Sequence, residues 1–126
     1  MELTRPNSII GPKEHFTGNV KLEALKSEPI KILRVSFDAG SRTFWHKHPS
    51  GQTLYIVSGT ARVGFKDESG NYEMKDVSAG EIVVAAPNER HWHGASPDGP
   101  MVHIAIQEDL EWESQEVSDA EYSGSV

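Results

Sequence analysis

The sequence predicts an all-β fold, in which antiparallel strands form a sandwich or a small barrel. Two observations support this class. Short segments of about five to eight residues alternate in polarity or are rich in β-branched residues, and Gly, Pro, Asp and Asn separate them. Helical periodicity is almost absent, apart from the acidic end of the chain. Strands without intervening helices must bury one face against another sheet or close on themselves.

The elements follow in order along the chain. Residues 1–19 contain Pro6, Gly11, Pro12 and Gly18 and predict an irregular N-terminal arm that pairs at most at a sheet edge. A core barrel of about 20–108 comes next. Its predicted strands cover residues 20–25, 30–37, 53–57, 60–65, 72–77, 81–86, a segment from His91, and 101–107.

Two local motifs carry further structural predictions. Ser58-Gly59 separates the strands 53–57 and 60–65, which predicts a hairpin. The C-terminal tail, residues 109–126, is acidic, and Ser118–Tyr122 predicts a short helix with Ser118 as its N-cap. The chain shows no internal repeat and no linker, so residues 1–126 are predicted to form one domain.

Composition excludes several classes of function. The net charge is −7, which disfavours contact with nucleic-acid phosphates. Cysteine is absent, so disulfides, thiolate metal sites and cysteine nucleophiles are excluded. The N-terminus has no apolar signal region, and no segment reaches the length of a membrane span. We therefore expect a cytoplasmic protein that contacts neither nucleic acid nor membrane.

The histidines carry the functional signal. Residues two apart in a strand share a face, so His46 and His48 can aim at one point, and His91 and His93 can do the same. The turn Pro49-Ser50-Gly51 can return Gln52 to that point. On the last strand, His103 shares a face with Gln107. A barrel can gather these strands around one cavity, whereas the lone His15 is interpreted as a surface or core residue satisfied by a hydrogen bond.

Such donors are suited to a catalytic metal. Imidazole binds Mn, Fe, Co, Ni, Cu or Zn, and an amide oxygen is a weaker and harder ligand. Three histidines and one amide leave coordination positions for water or substrate. Since none of the donors is anionic, a divalent ion would keep its full charge and would be a stronger Lewis acid, though less tightly held.

Two motifs resemble those of the cupin family. The first motif, G-x5-H-x-H-x3-E-x6-G, matches at Gly40, His46, His48, Gln52 and Gly59, with Gln52 in place of glutamate. The second matches at Gly80, Pro87 and His91, although the proline lies one place late and Glu89 and Ala95 replace a glycine and an asparagine. The resemblance implies a double-stranded β-helix, the cupin jelly-roll barrel. It also implies four metal ligands, namely His46, His48, Gln52 and His91.

A closer resemblance is to the bacterial manganese-dependent cupin hydroxynitrile lyases. It includes the run H-x-H-P-x-G-Q-T-L at residues 46–54, the segments 91–95 and 103–108, and Phe16-Thr17-Gly18. This likeness implies a lyase of the hydroxynitrile lyase type that acts on a small α-hydroxy or carbonyl compound. It implies manganese as the metal, with Fe, Zn, Ni and Co as alternatives.

Roles follow for the residues that are not ligands. His93 or His103 is expected to move the substrate's hydroxyl proton, because imidazole titrates near neutrality. Gln107 is expected to orient the substrate or the leaving group. An apolar pocket wall is predicted from the side chains of Leu33, Val35, Phe44 and Trp92.

Two other functions remain open from the sequence. One is an O2-dependent cupin dioxygenase, which Gln52 disfavours because an amide cannot take up a proton as a carboxylate can. The other is a non-enzymatic cupin that binds a metal or a small molecule. For any of these functions the expected partners are a small-molecule substrate or ligand and further copies of the chain, in a homodimer or homotetramer.

Overall fold

The computed structural model describes residues 1–126. Its secondary structure is thirteen strands and one short helix. The strands are β1 (Ser8–Ile10), β2 (Phe16–Thr17), β3 (Val20–Lys26), β4 (Lys31–Phe37), β5 (Arg42–Thr43), β6 (His46–Lys47), β7 (Gln52–Ser58), β8 (Thr60–Lys66), β9 (Tyr72–Ser78), β10 (Ile82–Ala85), β11 (Arg90–Ala95), β12 (Met101–Gln107) and β13 (Glu111–Trp112). The helix is α1 (Asp119–Ser123). The predicted all-β class is confirmed.

The strands form two antiparallel sheets. The first sheet has the order β1-β3-β4-β12-β7-β10. In the second, β11 is the central strand: it pairs with β8 on one side and with the short strands β5 and β6 on the other. Strand β9 extends the sheet beyond β8, and β2 and β13 extend it beyond β5 and β6. The strands that carry the histidines, β6, β11 and β12, therefore lie in facing layers.

The predicted hairpin between residues 53–57 and 60–65 is wrong. Strand β7 pairs with β12 and β10 in the first sheet, and β8 pairs with β11 and β9 in the second. Gly59, with φ of 75°, turns the chain from one sheet to the other. A Cβ at this position would clash with the carbonyl oxygen of Pro100, so the corner is too crowded for any residue with a side chain.

The buried apolar side chains form two separate clusters. The larger fills the space between the sheets and includes Val35 and Phe37, whose predicted common face is confirmed. The smaller lies on the other face of the second sheet and consists of Trp45, Trp92, Val117 and Tyr122. The hydroxyl of Tyr122 donates a hydrogen bond to the carbonyl of Ala95, which anchors the tail against β11.

Both ends of the chain are more ordered than their composition suggests. In the N-terminal arm, β1 pairs with β3 and β2 pairs with β5. In the tail, β13 pairs with β6, an unpredicted strand. The predicted helix cap is confirmed: Ser118 Oγ accepts from the Glu121 amide, and Glu121 accepts from the Ser118 amide in return. No helix of the structure has the length and apolarity needed to cross a membrane.

Candidate metal centre

Three histidines from two paired strands converge on one point. His46 of β6 lies directly opposite His91 of β11 in the antiparallel register. His48 follows two residues after His46, as the two-residue period of a strand requires. One ring nitrogen from each histidine lies within 4.8 Å of the other two, and all three residues are buried. This is a set of donors that could hold one metal ion.

Backbone carbonyls fix the tautomer of each of these rings. In every case Nδ1 is bonded to a carbonyl oxygen, which can only accept, so Nδ1 carries the proton and Nε2 keeps its lone pair. Metal-binding histidines in proteins are commonly oriented in this way. The three bonds join His46 to Phe44 at 2.8 Å, His48 to Asp109 at 2.6 Å and His91 to Glu89 at 2.9 Å.

Gln52 presents its amide oxygen to the same point. Its Nε2 donates to Oε1 of Gln107 at 2.8 Å, which leaves its own Oε1 turned towards His91. The distance from this oxygen to His91 Nε2 is 2.9 Å. Both atoms are acceptors when Nδ1 of His91 holds the proton, so they cannot bond to each other. The arrangement is the one expected of two ligands of a single cation, which sit about 3 Å apart when each bond is about 2.1 Å.

A second observation fits a cation. Nε2 of His48 is buried and has no hydrogen-bond partner. A buried polar atom without a partner is destabilising unless a bound group satisfies it. Neutral imidazoles and an amide oxygen are suitable donors for a first-row divalent ion.

Burial keeps the imidazoles neutral and therefore ready to bind a metal. It lowers the pKa of His91 to about 4, against a smaller opposing effect of the Glu89 carbonyl. Burial, followed by repulsion from His91, lowers the pKa of His46 well below 6.5. Burial also lowers the pKa of His48, although its bond to Asp109 works in the opposite direction. The lowered pKa values favour the neutral rings at neutral pH, so protons compete less with a metal for these nitrogens.

His93 and His103 form a second imidazole pair beside the first group. Nε2 of His103 lies 3.0 Å from Nδ1 of His93, so one ring donates to the other. The outer nitrogens, Nε2 of His93 and Nδ1 of His103, are buried without a partner. Burial lowers the pKa of His103 to about 4 and the pKa of His93 well below 6.5, the latter with added repulsion from His103. The expectation that these rings titrate near neutrality is therefore wrong; they are neutral at pH 7, and a neutral imidazole keeps a lone pair that can accept a proton. The His93 ring lies 5.1 Å from that of His46.

Gln52 and four of the five histidines of these two groups line a cavity of about 290 Å³ between the two sheets, whereas His91 does not line it. A volume near the lower end of the usual range suits a small ligand. The polar part of the lining is made of histidine, glutamine and threonine side chains, and no carboxylate lines the cavity. Leu33, Val35 and Gln107 line it, at the places the sequence analysis assigned to them.

Two predicted wall residues lie elsewhere. Trp92 is fully buried in the smaller cluster, on the far side of the second sheet from the cavity. Strand alternation explains this position, because His91 and His93 face inward and Trp92 between them must face outward. Phe44 does not line the cavity either, since the irregular Phe44-Trp45 step interrupts the alternation and Thr43 takes the inward position.

The cavity also has walls that the sequence analysis missed. The N-terminal arm contributes Ile9, Pro12, His15 and Phe16, and the tail contributes Leu110 and Trp112. His15 stacks on Trp112 with ring centres 4.3 Å apart. The interpretation of His15 as a surface or core residue satisfied by a hydrogen bond is wrong for its Nδ1, which is buried without a partner. Only the shared aromatic character of the two segments hinted at this contact.

The curled antiparallel sheets and the buried histidine centre define the cupin class of β-barrel protein. The Cupin domain family matches residues 33–107, and this chain belongs to that family. The predicted double-stranded β-helix is confirmed. The chain is 38% identical to an (R)-mandelonitrile lyase of Granulicella tundricola over 133 aligned positions, which cover 97% of this chain and 98% of the relative.

Solved structures agree on the fold. A cupin-like protein from Thermotoga maritima has a TM-score of 0.78 at 30% identity and matches 98% of this chain and 96% of its own. Oxalate decarboxylase from Bacillus subtilis, described with Mn(II) centres, has a TM-score of 0.61 at 23% identity. This match covers 76% of the present chain and 27% of the decarboxylase, and it concerns the fold alone.

Proposed function

We propose that this chain is a metal-dependent lyase of the hydroxynitrile lyase type, which reversibly cleaves a small cyanohydrin into a carbonyl compound and cyanide. The observation that carries the proposal is the convergence of one ring nitrogen from each of three buried histidines and the Gln52 amide oxygen, beside the cavity between the two sheets. The similarity to an (R)-mandelonitrile lyase along nearly the whole chain supports the choice of reaction.

We assign four ligands to the metal: His46, His48, Gln52 and His91. Manganese is the proposed ion, with Fe, Zn, Ni and Co as alternatives. When bound, the ion would act as a Lewis acid that polarises the substrate oxygen. The absence of a carboxylate from the lining supports this role, since no anionic side chain of the cavity reduces the charge of the ion.

The pair His93 and His103 moves the proton in this proposal. With Nδ1 of His93 donating to Nε2 of His103, Nε2 of His93 has a free lone pair and accepts the hydroxyl proton of the cyanohydrin. His93 can then pass its Nδ1 proton to His103, so the positive charge is shared between two rings. The bond between the hydroxyl-bearing carbon and the nitrile carbon breaks, and cyanide leaves with the electron pair.

Gln107 and the apolar wall position the substrate. Gln107 holds the Gln52 amide, and its position in the lining lets it orient the substrate or the leaving cyanide. Leu33 and Val35 supply apolar contacts for the remainder of the substrate.

The experiment that tests the proposal is incubation of the purified protein with mandelonitrile. The protein loaded with metal should release benzaldehyde and cyanide above the rate of the metal-free protein, and exclusion of oxygen should not change that rate. Oxygen consumption with a flavonol or a thiol, without cyanohydrin cleavage, would instead support the dioxygenase alternative.

We extend the proposal to assembly and location. Strands β7 and β10 carry a patch of exposed apolar side chains at the edge of the first sheet, and such a patch favours self-association into a homodimer or homotetramer. The patch consists of Tyr55, Val57, Ile82 and Val84. The complete absence of cysteine suits a cytoplasmic protein. Light scattering of the purified protein tests the assembly.

A further inference from the structure

His15 is the one histidine that belongs neither to the three-histidine group nor to the His93 and His103 pair. It lies in the N-terminal arm just before β2 and is one of the residues that line the cavity. The ring stacks face to face on Trp112, with an interplanar angle of 10°. Two segments that are distant in sequence thus form one aromatic wall.

The backbone holds His15 in place. Its amide donates to the carbonyl of Pro12 at 3.0 Å, and its carbonyl accepts from the amide of Phe44 at 2.8 Å. The next residue, Phe16, pairs with Thr43 in the sheet. Two hydrogen bonds hold the backbone of His15, and stacking on Trp112 holds its ring. A residue held in this way is preorganised for binding.

The ring has an unused polar atom. Nδ1 of His15 is buried and has no hydrogen-bond partner in the protein. Leaving such an atom unpaired is unfavourable, and a bound molecule with a hydroxyl group could supply the missing bond.

Trp112 separates His15 from the ligand histidines. The Trp112 ring lies 4.3 Å from that of His15 and 4.8 Å from that of His46. A ligand whose carbonyl or hydroxyl oxygen lies among the imidazoles must therefore extend past the Trp112 ring to reach His15. An aromatic aldehyde or cyanohydrin that carries a polar substituent on the far side of its ring is long enough to make both contacts.

We propose that His15 is a specificity-determining residue that selects aromatic substrates with a ring hydroxyl. The hydroxyl donates to Nδ1 of His15 while the aromatic ring packs against Trp112. This inference rests on the proposed function in one respect. The proposed function supplies the chemistry of the other end of the ligand, which is an aldehyde or a cyanohydrin. The binding of the remote hydroxyl does not depend on turnover.

Calorimetric titration of the manganese-loaded protein tests the inference. The probes are benzaldehyde, 3-hydroxybenzaldehyde and 4-hydroxybenzaldehyde. We expect at least one hydroxylated aldehyde to bind about fivefold more tightly than benzaldehyde, as one additional neutral hydrogen bond predicts. His15→Phe keeps a ring on Trp112 but has no nitrogen, so the ratio between the affinities for the hydroxylated aldehydes and for benzaldehyde should fall to about one. His15→Asn places a polar atom near the position of Nδ1 and should restore part of the preference.

Each outcome decides the inference. It is overturned if the wild type shows no preference, if His15→Phe retains it, or if none of the three aldehydes binds. Far-UV circular dichroism and thermal melting of both variants show whether the fold is preserved. A retained preference in a protein that cleaves no cyanohydrin would refute the proposed function and leave the role of His15 standing.

Discussion

Nε2 of His91 lies 2.9 Å from Oε1 of Gln52, while the opposite ring nitrogen of His91 donates its proton to the carbonyl of Glu89. Two lone pairs therefore face each other inside the protein. In the absence of a cation this contact is repulsive, and with a shared cation it becomes a pair of ligand bonds. The geometry of these two residues is the strongest structural argument for a metal at this position.

The orientation of Gln52 depends on Gln107. We predict that Gln107→Leu lowers metal affinity by about tenfold to a hundredfold, the usual effect of removing a group that orients a ligand. Gln107→Glu keeps an acceptor for Gln52 Nε2 and should retain more of the affinity. Competition with a chelator measures both variants. Equal losses in the two variants would show that the hydrogen bond is not the cause.

Because the Gln52 side chain is a neutral amide, we expect it to bind the metal less tightly than a carboxylate would but to leave the metal more active in cyanohydrin cleavage. Gln52→Glu introduces an anionic ligand, so metal should bind more tightly, by about tenfold or more. Cyanohydrin cleavage should fall, because the carboxylate partly neutralises the ion and cannot donate to Gln107. Metal retention on dialysis and the cleavage rate at full occupancy provide the measurements. A variant that binds metal more tightly and is also faster would contradict this reasoning.

The proposed proton relay predicts separate effects on binding and turnover. His93→Gln and His103→Gln keep a polar side chain at each position but remove the exchangeable imidazole. We expect kcat to fall by about 10²-fold or more for His93→Gln, with metal content unchanged. The loss for His103→Gln should be smaller, since His103 acts through His93. If neither variant loses activity at full metal occupancy, the pair has no catalytic role.

The buried histidines predict how the stability of the metal-free protein depends on pH. In the folded protein burial lowers the pKa of His91 and of His103 to about 4, whereas in the unfolded chain each titrates near 6.5. Between pH 4 and pH 6.5 the unfolded chain binds more protons than the folded protein. The free energy of unfolding therefore falls as the pH decreases from about 6.5 towards 4. Below that range the contribution of these histidines is constant.

Urea unfolding at a series of pH values tests this prediction. The free energy of unfolding should change by about 1.4 kcal/mol per pH unit for each proton of difference. His103→Gln removes one titrating site, so its slope should be shallower than that of the wild type. An equal slope in the variant would mean that His103 is already protonated in the fold at higher pH.

Trp92 should matter for stability and not for ligand binding. Its indole NH donates to the hydroxyl of Tyr72 at 3.1 Å, and its ring packs beside Tyr122. Trp92→Phe should destabilise the fold by about 1–3 kcal/mol and leave benzaldehyde affinity unchanged. Val35→Phe, which adds bulk to the cavity wall, should lower benzaldehyde affinity as well as stability, because Val35 is also buried in the larger apolar cluster. Thermal melts and calorimetric titration of both variants make the comparison.

Much of the centre could be predicted because strand periodicity is a local property. The pairs His46 and His48, and His91 and His93, share faces as alternation requires. The same rule, applied to Trp92, would have placed it outside the cavity. The pairing of β7 and β8 could not be derived, because two strands around a glycine turn can form a hairpin or pass between sheets, and distant strands decide between these outcomes.

The contact between His15 and Trp112 lies beyond local rules for the same reason. Nearly all strands of the barrel lie between these two residues along the chain. The residues meet because β2 and β13 lie at one side of the second sheet. Likewise, the interruption at Phe44 depends on the backbone bond from its amide to His15. Both effects are tertiary, so no periodicity in the sequence reports them.

The central claim is that one bound metal ion makes this chain a cyanohydrin lyase. A titration of the metal-free protein with Mn²⁺ tests it most directly, with bound metal and mandelonitrile cleavage measured in the same samples. The proposal predicts saturation at one ion per chain, with the cleavage rate rising in proportion to occupancy and with both signals lost in His48→Ala. A protein that fills to one ion per chain and releases no benzaldehyde above the metal-free rate would contradict it.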